Sequence, residues 1–118
     1  MDPLQETEVE ICGKTYKVRP TFKIVAAIEG ATEKSCVVLG RRLLNMEAPV
    51  AEIATVLYCM AADQKGPSVE QIGASLIEKG SRRYRDVLSA FLLNVYLGDE
   101  EMKKEAAASP QSPADASS

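Results

Sequence analysis

The chain of 118 residues contains no histidine and only three cysteines. Without histidine it lacks the side chain that most often transfers protons near neutral pH. The cysteines Cys12, Cys36 and Cys59 are odd in number and far apart, so neither a zinc site nor a disulfide framework is predicted. We expect buried thiols in a reducing cytoplasm, and no catalytic residue, bound metal or cofactor.

Other motifs of catalysis and targeting are also missing. The sequence has no glycine-rich phosphate loop and no nucleophile elbow. No apolar run approaches the ~18 residues of a membrane span, and the first ten residues are acidic and polar, unlike a signal peptide. These absences predict a soluble protein of the cytoplasm that is not an enzyme and does not bind a membrane.

Charge is distributed unevenly along the chain. The net charge is −3, yet residues 1–98 hold twelve acidic and twelve basic side chains, and residues 99–118 hold five acids against two lysines. A neutral body argues against bulk attraction to nucleic acid or to an anionic membrane.

One β-hairpin is predicted at the start of an otherwise helical chain. Apolar and charged residues alternate over 8–11 and 16–19, which is typical of half-buried strands. With Gly13 and Lys14 as the central turn residues, Ile11 would face Tyr16 and Val9 would face Val18. A two-stranded ribbon is marginal by itself, so its apolar face must cover helices.

Five short helices are predicted after the hairpin. Thr21, Ser35 and Ser68 are typical N-caps, and Ser68 with Gln71 forms a capping box. The helices are expected to end near Gly30, Asn45 and Gly80, and the last is expected to open at Ser81. Their buried stripes follow i, i+3, i+4, i+7 spacing and are expected to include Ile24, Val25 and Ile28; Cys36, Leu39, Gly40, Leu43 and Leu44; Val50, Ile53, Ala54, Leu57, Tyr58 and Ala61; Val69, Ile72, Gly73, Leu76 and Ile77; and Tyr84, Val87, Leu88, Phe91, Leu92, Val95 and Tyr96.

The predicted fold is therefore α+β, with an N-terminal hairpin packed on a bundle of about five short helices. Residues 1–98 are expected to form one domain. Residues 99–118, rich in Ala, Ser and Pro, have no large apolar residue after Met102 and are expected to be a flexible acidic tail.

Three arginines, Arg82, Arg83 and Arg85, stand where the last helix begins, at the end where the helix macrodipole disfavours cations. They could contact an acidic partner or nucleic acid. Alternatively, they could reach the last carbonyls of the preceding helix while Asp86 balances their charge. Both interpretations stay open at this stage.

Several apolar residues lie off the main helical stripes. They complete the packing of a compact bundle, or they form a groove that binds an apolar partner helix or a second copy of the chain. The candidate partner-binding residues are Val37, Val38, Val56, Met60, Leu93 and Leu97.

The order of elements resembles the tail assembly chaperone family of gene transfer agents and related tailed phages of alphaproteobacteria. The resemblance covers about residues 6–98 and is carried by the hairpin ending in Arg19-Pro20-Thr21, the Ala-Ala-Ile-Glu-Gly segment that ends at Gly30, and the final segment 91–98, Phe-Leu-Leu-Asn-Val-Tyr-Leu-Gly. Thr21 to Gly30 is its most characteristic part. The Ala/Ser/Pro-rich tail departs from the short members of the family.

The resemblance implies a protein that binds the long helical tape measure protein in the bacterial host cytoplasm and keeps it soluble during tail assembly. Self-association and binding to tail tube subunits stay open. Two other functions fit the same sequence: a minor structural component of the tail tube, and a small DNA-binding regulator that uses the cluster from Arg82 to Arg85.

Overall fold

A computed structural model describes residues 6–95 of the chain. It confirms the predicted α+β fold, in which one antiparallel hairpin lies against five α-helices. Within the described residues no helix has the length and apolar character that a membrane span requires. The elements are β1 (Thr7–Ile11), β2 (Lys14–Val18), α1 (Phe22–Thr32), α2 (Cys36–Leu44), α3 (Val50–Ala61), α4 (Val69–Lys79) and α5 (residues 85–95).

The predicted register of the hairpin is wrong by two residues. Val9 pairs with Tyr16 and Ile11 with Lys14, so the central turn residues are Cys12 and Gly13, not Gly13 and Lys14. Both turn residues have positive φ, 51° and 85°, as a type I′ turn requires. This turn matches the right-handed twist of the strands, and a shift of two residues keeps every side chain on its predicted face.

The apolar face of the hairpin is buried, as the alternation predicted. Val9, Ile11, Tyr16 and Val18 all belong to the single buried core, and β2 contacts α3 directly. The hairpin thus covers one side of the helical bundle and removes its own apolar face from water. Burial of these four side chains stabilises a ribbon that would be marginal alone.

The predicted N-caps are confirmed. The side chains of Thr21, Ser35 and Ser68 accept hydrogen bonds from backbone N–H groups at the starts of α1, α2 and α4, and Ser68 with Gln71 completes the capping box. The predicted end of α1 at Gly30 is wrong. The helix continues to Thr32 and ends where Glu33 takes a left-handed conformation.

Most of the predicted core positions are buried, including Leu57 and Phe91. Four residues assigned to the buried stripes are exposed: Leu44, Val50, Tyr58 and Ile77. A stripe drawn from i, i+3 and i+4 spacing spans a wider arc than one neighbouring element covers, so residues at its border reach the surface.

The last helix begins later than predicted. A 3₁₀ turn at Arg82–Tyr84 follows Ser81, and the α-helix covers residues 85–95 of the described chain. Gly40 of α2 is buried where α5 packs against it, and a Cβ placed there would lie 3.0 Å from Leu93 Cγ. The predicted tail, 99–118, lies outside the described residues, as does Tyr96.

Candidate functional site: an apolar groove between α3 and α4

An apolar groove lies along the outer side of the contact between α3 and α4. It has a volume of about 710 Å³ and is open to solvent. Small side chains line most of it, namely Ala51, Ala54, Thr55, Gly73 and Ala74. We call this feature the α3–α4 groove.

Two of the larger apolar residues beside the small ones are exposed, Val50 moderately and Ile77 strongly. Val50 opens α3, and Ile77 lies in the last turns of α4 with 77% of its surface accessible to solvent. Val69, at the start of α4, is partly buried against the core. Exposed branched aliphatic side chains beside a trough of small ones make a surface that an apolar helix can cover.

The groove arises from the distribution of side-chain size around the two helices. The inward sides of α3 and α4 carry large residues such as Leu57, Ile72 and Leu76, all of which are buried. The positions beside this contact carry alanine, threonine or glycine, so the space above it stays unfilled.

Gly73 is not required by the packing of the fold itself. A Cβ at this position would meet no atom within 4 Å other than those of the adjacent stretch of α4, and the residue lies inside a regular α-helix. Glycine in a helix interior costs about 0.5–1 kcal/mol relative to alanine. The fold thus bears a cost at Gly73 that no internal contact explains, while the missing side chain leaves the groove open.

Charge in the groove is confined to one end. Glu70 is the one charged residue among the described residues that line it. It lies in the first turn of α4, seven positions before Ile77, so the acidic and apolar ends of the groove are about 10 Å apart along the helix.

The structure changes the set of candidate partner-binding residues. Val56 and Met60 are each 1% exposed and belong to the core, so the prediction that they form a binding surface is wrong. They lie on the inward side of α3 because the buried arc of this central helix is displaced from the predicted stripe, away from Tyr58. Val37, Val38 and Leu93 are half-buried and do not line the groove, and Leu97 lies outside the described residues.

The arginine cluster is largely engaged within the chain. Arg83 Nη1 lies 2.7 Å from Glu10 Oε1, which ties the hairpin to the turn before α5. Arg85 donates from Nε to the carbonyl of Leu44 at 3.0 Å and pairs with Asp86. The arginine therefore reaches the last carbonyl of α2, not that of the helix just before it.

Arg82 differs from the other two arginines because it is exposed and has no ion pair within residues 6–95. It lines a smaller cavity of about 110 Å³ with Leu43, Met46 and Ile53. Since two of the three arginines already have intramolecular partners, little of the predicted cluster remains for a nucleic acid or an acidic partner.

Both edges of the hairpin also carry contacts from the rest of the chain. Glu10 and Lys17 lie outside the bonded pairs of the ladder, so their backbone groups point away from the partner strand. The Tyr84 hydroxyl donates to the carbonyl of Glu10, and Gln64 Nε2 donates to that of Lys17 at 2.9 Å. Addition of a partner strand would have to displace one of these side chains, so the groove is the better binding surface.

Of the three thiols that were predicted to be buried, Cys36 and Cys59 are buried and held in their neutral form, whereas Cys12 is exposed in the hairpin turn. Burial, together with the charge and hydrogen bond of Glu29, raises the pKa of Cys36 to about 12. Burial also raises the pKa of Cys59. A thiol kept protonated at neutral pH is a poor nucleophile and a poor metal ligand. Among the described residues, no three His, Cys, Asp or Glu side chains lie close enough to hold a metal ion together.

The sequence does indicate part of the groove through the spacing of its small residues, which a search for apolar periodicity does not consider. Ala51 and Ala54, and likewise Gly73 and Ile77, are spaced to share one side of their helices. Stripe counting placed Val50, Gly73 and Ile77 in the core because they follow apolar spacing, although glycine adds no side chain to such a stripe and is costly inside a helix.

Comparison of the chain with protein-family models, with curated proteins and with solved structures found no match.

Proposed function

We propose that this chain is a tail assembly chaperone that binds apolar helical segments of a tape measure protein in the bacterial cytoplasm and keeps them soluble during tail assembly. The observation that carries the proposal is the α3–α4 groove, which is apolar, open and bordered by exposed Val50 and Ile77. The resemblance in element order and in the Thr21 to Gly30 segment supports the choice of client.

The dimensions of the groove suit a helix. The stretch of α4 that lines it, from Val69 to Ile77, is about 12 Å long at 1.5 Å per residue, which corresponds to about two helical turns. An amphipathic helix binds such a surface through side chains at i, i+3, i+4 and i+7, which two turns can supply. A contact of this size favours reversible binding, as a chaperone needs to release its client when the tail tube assembles.

Co-expression with its cognate tape measure protein is the direct test of this function. The tape measure protein should stay in the soluble fraction and copurify with this chain. Because apolar contact carries the binding, raising salt from low to moderate concentration should change the yield of the complex little. If the chain neither solubilises nor binds the tape measure protein and instead forms a stoichiometric part of purified particles, it is a structural component of the tail.

Two exposed apolar residues provide a matched pair of variants for this test. Ile77→Gln removes a groove residue, whereas Phe22→Gln removes an 86% exposed aromatic residue that does not line the groove. The first variant should lose soluble tape measure protein and the second should retain it. Arg82→Ala should also retain it, and a loss there would indicate a charged interface.

A further inference from the structure

We infer that the α3–α4 groove seats one amphipathic helix of a partner with its backbone close over Gly73 and with a basic side chain directed at Glu70. This inference rests on the proposed function for the class of partner and adds the recognition chemistry of the site. Its occupant is a helix with an apolar stripe and a lysine or arginine beside the stripe.

The close approach follows from the small residues of the groove. Helix axes lie 8–10 Å apart according to the side chains at their contact, and small residues give the shorter distances. At Gly73 the groove has no side chain, and apart from the adjacent residues and backbone of α4 itself no atom of the described chain lies within 4 Å of where a Cβ would be. A partner backbone or a large apolar side chain can therefore come down to the backbone of α4 at this point.

The preference for a cation follows from the charges around the groove. Glu70 is exposed, lines the groove and has no basic partner among the described residues. No lysine or arginine of the described chain lines the groove beside it. A partner helix with a basic residue at this end gains an ion pair, whereas one with an acidic residue meets like charge.

Charge complementarity also selects between a partner and a second copy of the chain. In a symmetric pair, the same patch would face itself, because an isologous interface repeats one surface on both subunits. The groove has one acid and no base, so two copies would bring Glu70 and its symmetry mate to the same apolar interface without a compensating cation. A foreign helix with a basic residue fits the surface better.

A substitution that fills the groove should weaken partner binding without destabilising the fold, so the two effects can be measured separately. Gly73→Leu places an apolar side chain in the groove, where the Cβ meets no neighbour, and replaces a poor helix former by a good one. The variant should unfold at the same or higher denaturant concentration than the wild type. Gly30→Leu is the control, because Gly30 also lies in a helix with nothing within 4 Å of its Cβ position and is outside the groove.

The probes are two synthetic helical peptides of about 20 residues, a length at which a helix is stable enough to test. They share one leucine and alanine stripe and differ in having lysine or glutamate beside it. Measured by fluorescence anisotropy with the full chain, the lysine peptide should bind about two- to fivefold more tightly, and Glu70→Gln should remove this preference. Glu78→Gln, on the same helix but outside the groove lining, should keep it.

Gly73→Leu should weaken binding of the lysine peptide about tenfold or more, and Gly30→Leu should leave it unchanged. Unchanged binding in Gly73→Leu, or equal binding of both peptides to the wild type, would overturn the inference. A concentration-dependent dimer that Gly73→Leu abolishes would overturn it too, in favour of a second copy as the occupant.

The same variants distinguish failure of this inference from failure of the proposed function. If Gly73→Leu solubilises the tape measure protein as well as the wild type does, the groove is not the binding site and the chaperone function still stands. If the wild type binds the lysine peptide through the groove but does not bind the tape measure protein, the groove is a helix-binding site and the chaperone function fails.

Discussion

Replacing Leu57 or Phe91 by alanine is expected to lower the free energy of unfolding by about 2–5 kcal/mol. Both side chains are buried in the single core, Leu57 in the central helix α3 and Phe91 in α5. Removing either deletes apolar atoms from the interior and leaves a cavity, since densely packed neighbours relax only in part. For a domain of this size, a loss of several kcal/mol is a large fraction of the total stability.

Urea unfolding followed by circular dichroism measures this effect as a fall in the midpoint at constant slope. Ile77→Ala is the matched control, because it truncates an aliphatic residue of similar size at an exposed site of α4. We expect that control to change stability by no more than about 0.5 kcal/mol. A loss below about 1 kcal/mol at both Leu57 and Phe91 would contradict the assigned core.

Alanine at Gly66 is expected to destabilise the fold by about 1–3 kcal/mol. A Cβ at this position would lie 2.6 Å from the Cβ of Ala61 and 3.1 Å from its carbonyl oxygen. Ala61 is buried at the end of α3, and the Gly66 N–H donates to that same carbonyl. Neither a backbone group nor an alanine Cβ can rotate away, so the turn must open or α3 must shift.

Gly30→Ala is the same type of substitution, but it is expected to change the free energy of unfolding in the opposite direction. Gly30 lies inside α1, and its Cβ would have open space around it. Alanine there should raise the free energy of unfolding by about 0.5–1 kcal/mol through helix propensity. The two glycine variants can be compared by their urea midpoints. Stabilisation by Gly66→Ala would show that the chain leaves α3 along a different path.

Local rules predicted the parts of the fold that depend on neighbouring residues. The caps at Thr21, Ser35 and Ser68 were read correctly because an N-cap side chain satisfies a backbone N–H only two or three residues away. The inward face of the hairpin was also correct, since a period of two fixes which side chains share a side. The register was not, because Cys12-Gly13 and Gly13-Lys14 both place glycine at the turn and give strands with the same inward face.

Features that depend on how elements meet were harder to predict. Val56 and Met60, which lie off the predicted stripe of α3, are buried, whereas Val50 and Ile77, which lie on the predicted stripes, are exposed. The sequence gives no direct indication of which arc of α3 or α4 another element covers. The groove exists because small residues of both helices lie beside their contact, and local spacing shows the small residues within each helix but not that the two sets meet.

Site-specific photo-cross-linking tests the central claim, that an apolar helix of a tape measure protein occupies the α3–α4 groove. A photoreactive phenylalanine analogue at position 77 lies in the groove, and one at position 22 lies at a comparably exposed site outside it. In cells that express both proteins, illumination should cross-link the tape measure protein from position 77 and not from position 22. Cross-links from position 22 without any from position 77 would contradict the claim.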